Sequence, residues 1–160
     1  MKKPWLAHYP VGIAHEVDVL AYPSLAAVFN QSCERFAELP AFSNMGVTLS
    51  FADIDRLARD FAAYLQSVLR LAPGERLAIM MPNLLQYPIA VFGAFRAGLV
   101  VVNCNPLYTP RELEHQLVDS GAKAILVLEN FAHTVEQVVS RTAVENVITT
   151  QVGDLFPGLK

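Results

Sequence analysis

Apolar residues recur every three or four positions along several stretches of the chain, a spacing that predicts helices with one buried face. The first of these stretches opens at Ser24, a favourable helix cap. The second opens at Ser50, where Asp53 completes a capping-box pattern. Between these two predicted helices, residues 41–50 alternate on either side of a central Met-Gly pair, which predicts a short hairpin.

The clearest helix start in the chain is at Thr109. Pro110 occupies the first helical position and Glu112 the third, so the cap, the proline and the acidic partner all agree. We predict that this helix ends at Gly121, because glycine is the usual residue just beyond a helix.

Two other helical patterns are less regular. Residues 83–97 predict a helix capped by Asn83, in which Pro88 either bends the helix or marks its true first turn. Residues 131–141 predict a further helix near the end of the chain.

Short, continuous apolar runs alternate with helices from Leu77 onward. They predict strands at residues 76–81, 99–103, 124–128 and 147–150. Because these runs are continuous rather than alternating, they predict an α/β fold with a parallel-rich sheet layered between helices. We therefore divide the chain into an extended N-terminal segment (1–23), helices and a short hairpin that pack on the sheet (24–72), and a βα-repeat subdomain (73–160).

The composition narrows the class of protein. The 160 residues are 53% hydrophobic and 17% charged, with a formal net charge of −3. General disorder is excluded by this hydrophobicity, and no basic stripe is present to bind nucleic acid. The apolar fraction is high for a self-contained soluble domain, so we expect part of the apolar surface to be covered by polypeptide outside these residues.

Residues 84–102 form the longest apolar stretch, but Pro88, Arg96 and two glycines interrupt it. A charged arginine deep in lipid costs on the order of a few kcal/mol, so we interpret the stretch as a helix followed by a strand. After Lys2 and Lys3, polar residues and prolines exclude the apolar core of a signal peptide.

The chain has two cysteines, Cys33 and Cys104, which could form at most one disulfide bond, too few to stabilise a chain of this size. This cysteine usage fits a reducing compartment. Cys104 follows a predicted strand, where a nucleophile would be exposed. Nothing adjacent in the sequence would lower its pKa, so we interpret both cysteines as small buried filler.

No phosphate-binding loop is predicted. Gly93 and Gly98 have the spacing of a Walker loop, but Leu99 and Val100 occupy the positions where lysine and a hydroxyl residue are required.

No metal site is predicted either. Glu112 with His115, and His133 with Glu136, have the spacing of di-iron helix pairs. A strand separates them and no further carboxylates converge, so we interpret both pairs as solvated helix faces.

Several segments together carry a family resemblance. They read AFSNMG from residue 41, MMPNLLQYP from 80, FGAFRAG from 92, NCNPLYTPRELEHQL from 103, DSGAK from 119 and NFAHT from 130. In these segments, and in their order along nearly all 160 residues, the chain resembles the adenylate-forming enzymes, most closely the bacterial long-chain fatty acyl-CoA synthetases. The predicted sheet and helices fit part of that family's large N-terminal domain.

The resemblance implies a two-step reaction in a longer parent enzyme. A fatty carboxylate attacks the α-phosphate of Mg²⁺-ATP, and the thiol of coenzyme A then displaces AMP. The family's phosphate-binding motifs do not occur in these residues, so we assign no catalytic, cofactor-binding or metal-binding residue and expect no ATP, Mg²⁺ or coenzyme A on this fragment. Residues 103–110 are expected to end one strand and cap the next helix.

The same resemblance implies a cytoplasmic homodimer that takes fatty acid from the inner face of the cytoplasmic membrane. Three alternatives remain open. The parent could activate medium-chain or aryl acids, these residues could form a non-catalytic docking or dimerisation module, or they could form a flavodoxin-like nucleotide binder.

Overall fold

The computed structural model describes residues 3–158. Four residues lie outside this range: Met1 and Lys2 of the predicted N-terminal segment, and Leu159 and Lys160 of the predicted βα-repeat subdomain. The α-helices are α1 (Leu25–Arg35), α2 (Phe51–Ser67), α3 (Gln86–Arg96), α4 (Pro110–Ser120) and α5 (Ala132–Glu136). The strands are β1 (Pro40–Asn44), β2 (Val47–Ser50), β3 (Arg76–Met80), β4 (Val100–Asn103), β5 (Ala124–Leu128) and β6 (Asn146–Thr150).

Strands β3 to β6 form one parallel sheet in the order β4-β3-β5-β6, which confirms the predicted fold class. Helices α2 and α3 cover one face, where Leu65 and Leu77 are fully buried. Helices α4 and α5 cover the other, where Leu113 and Ile125 are fully buried. The central strands β3 and β5 are continuous apolar runs because both of their faces lie against helices, whereas the edge strands β4 and β6 are partly exposed.

The predicted hairpin is present. Strands β1 and β2 pair antiparallel, with Asn44 opposite Val47. The turn between them places Met45 at φ 48° and Gly46 at φ 80°, and two central residues with positive φ match the right-handed twist of the strands.

The predicted caps at Ser24, Ser50 and Gly121 are confirmed. The side chain of Ser24 accepts a hydrogen bond from the main-chain nitrogen of Ala27 at 3.1 Å. Ser50 and Asp53 form the expected capping box at the start of α2. Gly121 follows α4 in the left-handed conformation, with φ 62°.

The predicted start of α3 is wrong. Asn83 does not cap the helix, which begins at Gln86 after Leu85. Pro88 lies in its first turn, where a missing main-chain N–H costs nothing. A helix starting at Asn83 would press the ring of Pro88 against the carbonyl of Leu84, because proline clashes with the residue four positions earlier.

The helix predicted over residues 131–141 is broken into pieces. A single turn of 3-10 helix at Glu129–Phe131 leads into α5, and another at Val139–Arg141 follows it. Thr134, Val135, Val138 and Val139 are β-branched, and such residues lose side-chain freedom in a helix.

Candidate functional site

The carboxyl ends of the parallel strands are the place where an α/β sheet usually binds ligands. In the strand order β4-β3-β5-β6, the chain leaves β3 toward β4 and leaves β5 toward β6. These two connections run in opposite directions from the neighbouring ends of β3 and β5. Asn83 follows β3 at this point, and Glu129 and Asn130 follow β5.

At the end of β4, hydrogen bonds hold Asn103 in place. Tyr87 on α3 donates its hydroxyl to Asn103 Oδ1 at 3.0 Å. Gln116 on α4 donates Nε2 to the main-chain oxygen of Asn103 at 2.9 Å, which ties α4 to the strand. Gln116 Oε1 is a buried acceptor with no partner among the described residues.

The segment after β4 behaves as a structural connection. Asn105 Oδ1 accepts from the main-chain nitrogen of Leu107 at 3.0 Å, which makes a tight turn. Thr109 and Glu112 then exchange the two hydrogen bonds of a capping box. The main-chain N–H of Thr109, followed by its hydroxyl, lowers the pKa of Glu112. The expected role of residues 103–110, ending β4 and capping α4, is confirmed.

At the end of β6, the polar groups form hydrogen bonds with one another. Gln86 is buried and donates Nε2 to the main-chain oxygen of Gln151 at 2.7 Å. Asp154 Oδ2 accepts from the hydroxyl of Thr150 and from the main-chain nitrogen of Gln151, each at 2.8 Å. These contacts join α3 to the chain beyond β6.

An open groove of about 240 Å³ runs beside these contacts, between α2, α3 and β6. Its walls are mostly apolar and include Phe61, Ile89 and Ile148, and the polar residues Gln86 and Asp154 also line it. The groove offers an apolar surface rather than a set of convergent charges.

The two glycines with the spacing of a Walker loop have structural surroundings at the end of α3. Gly93 lies inside α3, where a Cβ atom would meet Phe61 Cδ1 at 2.8 Å and the main-chain oxygen of Ala58 at 3.0 Å. Its role is close packing of α3 on α2. Gly98 follows α3 with φ 77°, beside Pro73.

The two cysteines are buried, as interpreted from the sequence. Burial raises the pKa of Cys104 to about 11, so its thiol stays protonated at neutral pH. Burial also raises the pKa of Cys33, with a further contribution from the negative charge of Asp55. Neither side chain is an activated nucleophile.

The two candidate metal pairs, Glu112 with His115 and His133 with Glu136, are not brought into one ligand set. Within residues 3–158, no group of three or more His, Cys, Asp or Glu side chains is placed to hold a metal ion. The carboxylate of Glu112 serves the cap of α4 instead.

A cluster of polar contacts that the sequence did not predict joins α1, α2 and α3. Arg96 donates to Asn30 Oδ1 through Nε at 3.1 Å and through Nη2 at 2.6 Å. It also forms an ion pair with Asp55, and its guanidinium lies 5.0 Å from the ring centre of Phe29. The signal in the sequence was a lone arginine in an apolar helix.

None of the helices described between residues 3 and 158 is long and apolar enough to cross a membrane. The stretch 84–102, set aside above as a membrane span, divides into α3 and β4.

Comparison with known proteins adds a family and a set of relatives. Residues 29–157 match the family described as AMP-binding enzyme. The chain is 57% identical over 154 residues to a long-chain-fatty-acid–CoA ligase of Escherichia coli O6:H1, and 54% identical over 160 residues to that of Yersinia pestis. These alignments cover 96% and 100% of this chain, which spans only 28% of the length of either relative.

Among solved structures, the fold is similar to a long-chain-fatty-acid-CoA ligase from Archaeoglobus fulgidus. The TM-score is 0.75 and the sequence identity is 26%. The match covers 89% of this chain and 30% of that protein.

Proposed function

This chain belongs to the family of AMP-binding enzymes, and from that membership we propose that it forms part of a long-chain fatty acid–CoA ligase. The observation that carries the proposal is the 57% identity to the E. coli ligase over 96% of this chain. In the proposed reaction, a fatty carboxylate attacks the α-phosphate of ATP and expels pyrophosphate. The sulfur of coenzyme A then attacks the acyl carbon and AMP leaves.

The role we propose for these residues is that of a scaffold within the ligase. Both faces of the sheet are filled by helices, and the polar groups at its carboxyl edge are largely engaged with one another. The described residues supply neither a glycine-rich phosphate loop nor a three-ligand metal set. We therefore propose that ATP, Mg²⁺ and coenzyme A are held by other parts of the ligase and that no catalytic residue lies here.

The division predicted from the sequence belongs to the same proposal. Residues 73–160 would form the βα subdomain, residues 24–72 would pack on its sheet, and residues 1–23 would extend from it. The apolar groove beside β6, and Val147, which is 46% exposed beside α5, would lie against further ligase sequence. The greater length of the relatives supports this reading.

We also propose that the ligase is cytoplasmic, forms a homodimer and contacts the inner face of the cytoplasmic membrane. These statements rest on the family resemblance and are tested by sedimentation of the purified ligase with and without vesicles of bacterial phospholipid. A monomeric ligase that stays in the supernatant with vesicles present would overturn both the dimer and the membrane contact.

The activity is tested by thioester formation with acids of graded chain length. The test uses the 160-residue chain and, in parallel, the complete product of its gene. We expect the complete product to convert palmitate in the presence of ATP and coenzyme A, and the 160-residue chain to be inactive. Conversion of palmitate by the 160-residue chain alone would overturn the scaffold role.

The alternatives give different results in the same experiment. A complete product that acts on medium-chain or aryl acids but not on palmitate would keep the family and change the substrate. A gene that stops after codon 160 would favour a docking or dimerisation module. Calorimetric ATP binding by the 160-residue chain would favour a free-standing nucleotide binder.

A further inference from the structure

Two apolar cavities meet beside the β1–β2 hairpin. The larger, of about 460 Å³, lies between the tip of the hairpin and the start of α3, and the smaller, of about 190 Å³, lies between the hairpin and α1. Phe42 and Phe92 line both cavities, so we treat the two as one depression and name it the hairpin groove. Its other apolar walls include Val28, Phe29, Leu84, Pro88 and Val91.

The walls of the hairpin groove carry no charge. None of the described residues that line it is acidic or basic, and the polar groups among them are hydroxyls and amides. Phe29 and Phe92 stack with their ring centres 3.8 Å apart, and Phe42 is 39% exposed. Cavities that hold small ligands measure about 300–1,000 Å³ and are mostly apolar, with a few placed polar groups. The hairpin groove has this character.

The amides lie at one end of the groove, next to the carboxyl edge of the sheet. Asn83 follows β3, and Asn44 Nδ2 donates to the main-chain oxygen of Asn83 at 3.3 Å. Tyr87, which lines the larger cavity, donates its hydroxyl to Asn103 at the end of β4. The groove therefore leads from α1 to the edge of the sheet where α/β folds usually bind ligands.

The start of α3 favours an anion at this end of the groove. Leu84 and Leu85, which precede α3, line the larger cavity. Within the described residues, no side chain caps the start of α3, and its first turn holds no acidic residue. The main-chain N–H groups at a helix start carry a partial positive charge, which is complementary to a carboxylate. Uncharged apolar walls with such an end match a molecule that has a long apolar chain and an anionic head.

We infer that the hairpin groove binds the alkyl chain of a long-chain fatty acid, with the carboxylate at the start of α3 beside Asn83. The inference rests on the proposed fatty acid–CoA ligase and gives its substrate class a binding site in these residues. Each CH₂ group that leaves water strengthens binding by about threefold to fourfold, so the groove favours longer acids. A phosphate or a nucleotide would find no cationic side chain in the groove.

The groove beside β6 serves as a comparison within the same chain. It is also mostly apolar and open, but it is smaller, at about 240 Å³, and Asp154 lines it. A fatty carboxylate would be repelled by the negative charge of Asp154. The two grooves therefore separate binding of a fatty acid from general adsorption of an apolar chain.

Methyl NMR signals locate the ligand when laurate, used below its micelle concentration, is titrated into the 160-residue chain. We expect the methyl signals of Val28, Leu84 and Val91 to shift and to saturate with a single dissociation constant. The methyl signals of Ile148 and Leu155, in the groove beside β6, should stay in place. Octanoate should bind at least about tenfold more weakly than laurate, because four CH₂ groups are missing. Shifts concentrated at Ile148 and Leu155, or shifts that never saturate, would overturn the inference.

The main-chain amide signals of Leu85 and Gln86 report on the carboxylate. Laurate should move both signals. Dodecanol has the same chain without the charge, so it should move the Val91 methyl signals and leave the two amide signals nearly in place. Equal amide shifts with both ligands would overturn the placement of the carboxylate at α3.

A matched pair of substitutions tests the walls of the groove. Phe42→Ala should raise the dissociation constant of laurate at least about fivefold, because it removes apolar contact area. Tyr64→Ala, on α2 and outside the groove, removes an aromatic ring of nearly the same exposure, 38% against 39%, and should leave the constant unchanged. Equal effects of the two substitutions would overturn the assignment. If Phe42→Ala fails to fold, the methyl shifts of the wild-type chain decide the question.

The complete gene product separates this inference from the ligase itself. There, Phe42→Ala should raise the KM for palmitate more than it lowers kcat. An unchanged KM would show that other ligase sequence covers the groove, and Val91 methyl shifts that follow protein concentration without laurate would show that a second copy does; either result overturns the inference. Conversion of palmitate by the complete product, beside a 160-residue chain that binds no laurate, keeps the ligase and overturns the groove. Laurate binding in the groove of a chain whose complete product converts no fatty acid supports the groove and overturns the ligase.

Discussion

The guanidinium of Arg96 on α3 donates through Nη1 to the main-chain oxygen of Asp55 on α2, across 2.7 Å. It also pairs with the Asp55 carboxylate and with the side-chain oxygen of Asn30 on α1. The Arg96 side chain is only 15% exposed. One planar side chain therefore joins three helices on the same face of the sheet.

We predict that Arg96→Lys destabilises the fold by about 2 kcal/mol, because an ammonium cannot reproduce the fork of donors and leaves partly buried acceptors unpaired. Urea unfolding measures the change. Arg59→Lys is the matched control, since Arg59 pairs with the same carboxylate but is 71% exposed, and it should cost less than about 0.5 kcal/mol. Similar losses in both variants would contradict a special role for Arg96.

The same pair predicts a dependence of stability on acid. Burial pushes the pKa of Asp55 upward, but hydrogen bonds and charge from Arg96, aided by Arg59, outweigh burial and hold it below its usual value. The folded chain thus binds this proton less readily than the unfolded chain. The stabilisation is present above the unfolded pKa of about 3.9 and is lost as the pH falls through the lower, folded pKa.

Unfolding free energies measured from about pH 6 down to about pH 3 should therefore show a loss that depends on this pair. In Arg96→Leu, Asp55 loses its main partner and its folded pKa should rise. We expect the variant to be less stable near neutral pH and to lose less further stability in acid than the wild-type chain. An acid-dependent loss identical in both proteins would show that Asp55 is not responsible.

The sequence predicted those parts of the fold that depend on neighbouring residues. Capping boxes such as Ser50 with Asp53 involve side chains three positions apart, and each was found where predicted. The continuous apolar strands also follow from local pattern. The start of α3 was misplaced because Asn83 is a good cap by type, while the clash imposed by Pro88 decides the outcome.

The candidate site was predictable only in part. Cys104 was interpreted as buried filler because no adjacent residue in the sequence would lower its pKa, and in the structure burial raises that pKa to about 11. Arg96 contacts Asp55, which lies 41 positions earlier in the chain, and Asn30, which lies 66 positions earlier. No local sequence pattern reveals contacts over such separations. The same holds for Gln86, whose acceptor, the main-chain oxygen of Gln151, lies 65 positions away.

We predict that Gly93→Ala destabilises the fold, although alanine is the better helix former by about 0.5–1 kcal/mol. The added Cβ would lie 3.0 Å from the main-chain oxygen of Ala58, which cannot move without shifting α2. Overpacking of this kind costs about 1–3 kcal/mol, so the net effect should be a loss. A thermal melt that is unchanged or raised would show that α2 and α3 can separate at little cost.

Gly121→Ala provides the comparison at a position where the left-handed backbone conformation, and not close packing, favours glycine. A Cβ at Gly121 meets nothing within 4 Å, but its φ of 62° disfavours other residues. We expect a loss of about 1 kcal/mol, which Gly121→Asn should partly restore because asparagine tolerates this conformation. Gly93→Asn should show no such recovery.

Cys104 should resist thiol reagents while the chain is folded. Its side chain is buried, and burial raises its pKa to about 11, so neither access nor thiolate is available at pH 8. We expect labelling by a disulfide reagent to follow the rate of unfolding rather than the concentration of reagent. Ser67→Cys adds an exposed thiol at the end of α2 and should react at once under the same conditions, so equally rapid reaction of Cys104 would contradict its burial.

The cap of α4 offers the most local test of how the segment after β4 is built. Thr109→Ala removes the hydroxyl that accepts from the Glu112 main-chain nitrogen and should cost about 1 kcal/mol in urea unfolding. Thr109→Ser keeps that acceptor and should cost much less. Glu112→Gln should be tolerated near neutral pH, because an amide oxygen can still accept from the Thr109 main-chain nitrogen, whereas Glu112→Ala removes the second half of the box. If Thr109→Ala and Thr109→Ser were equally stable, the hydroxyl at position 109 would contribute nothing to the fold, and the start of α4 would depend on Glu112 and on the buried Leu113 and Leu117.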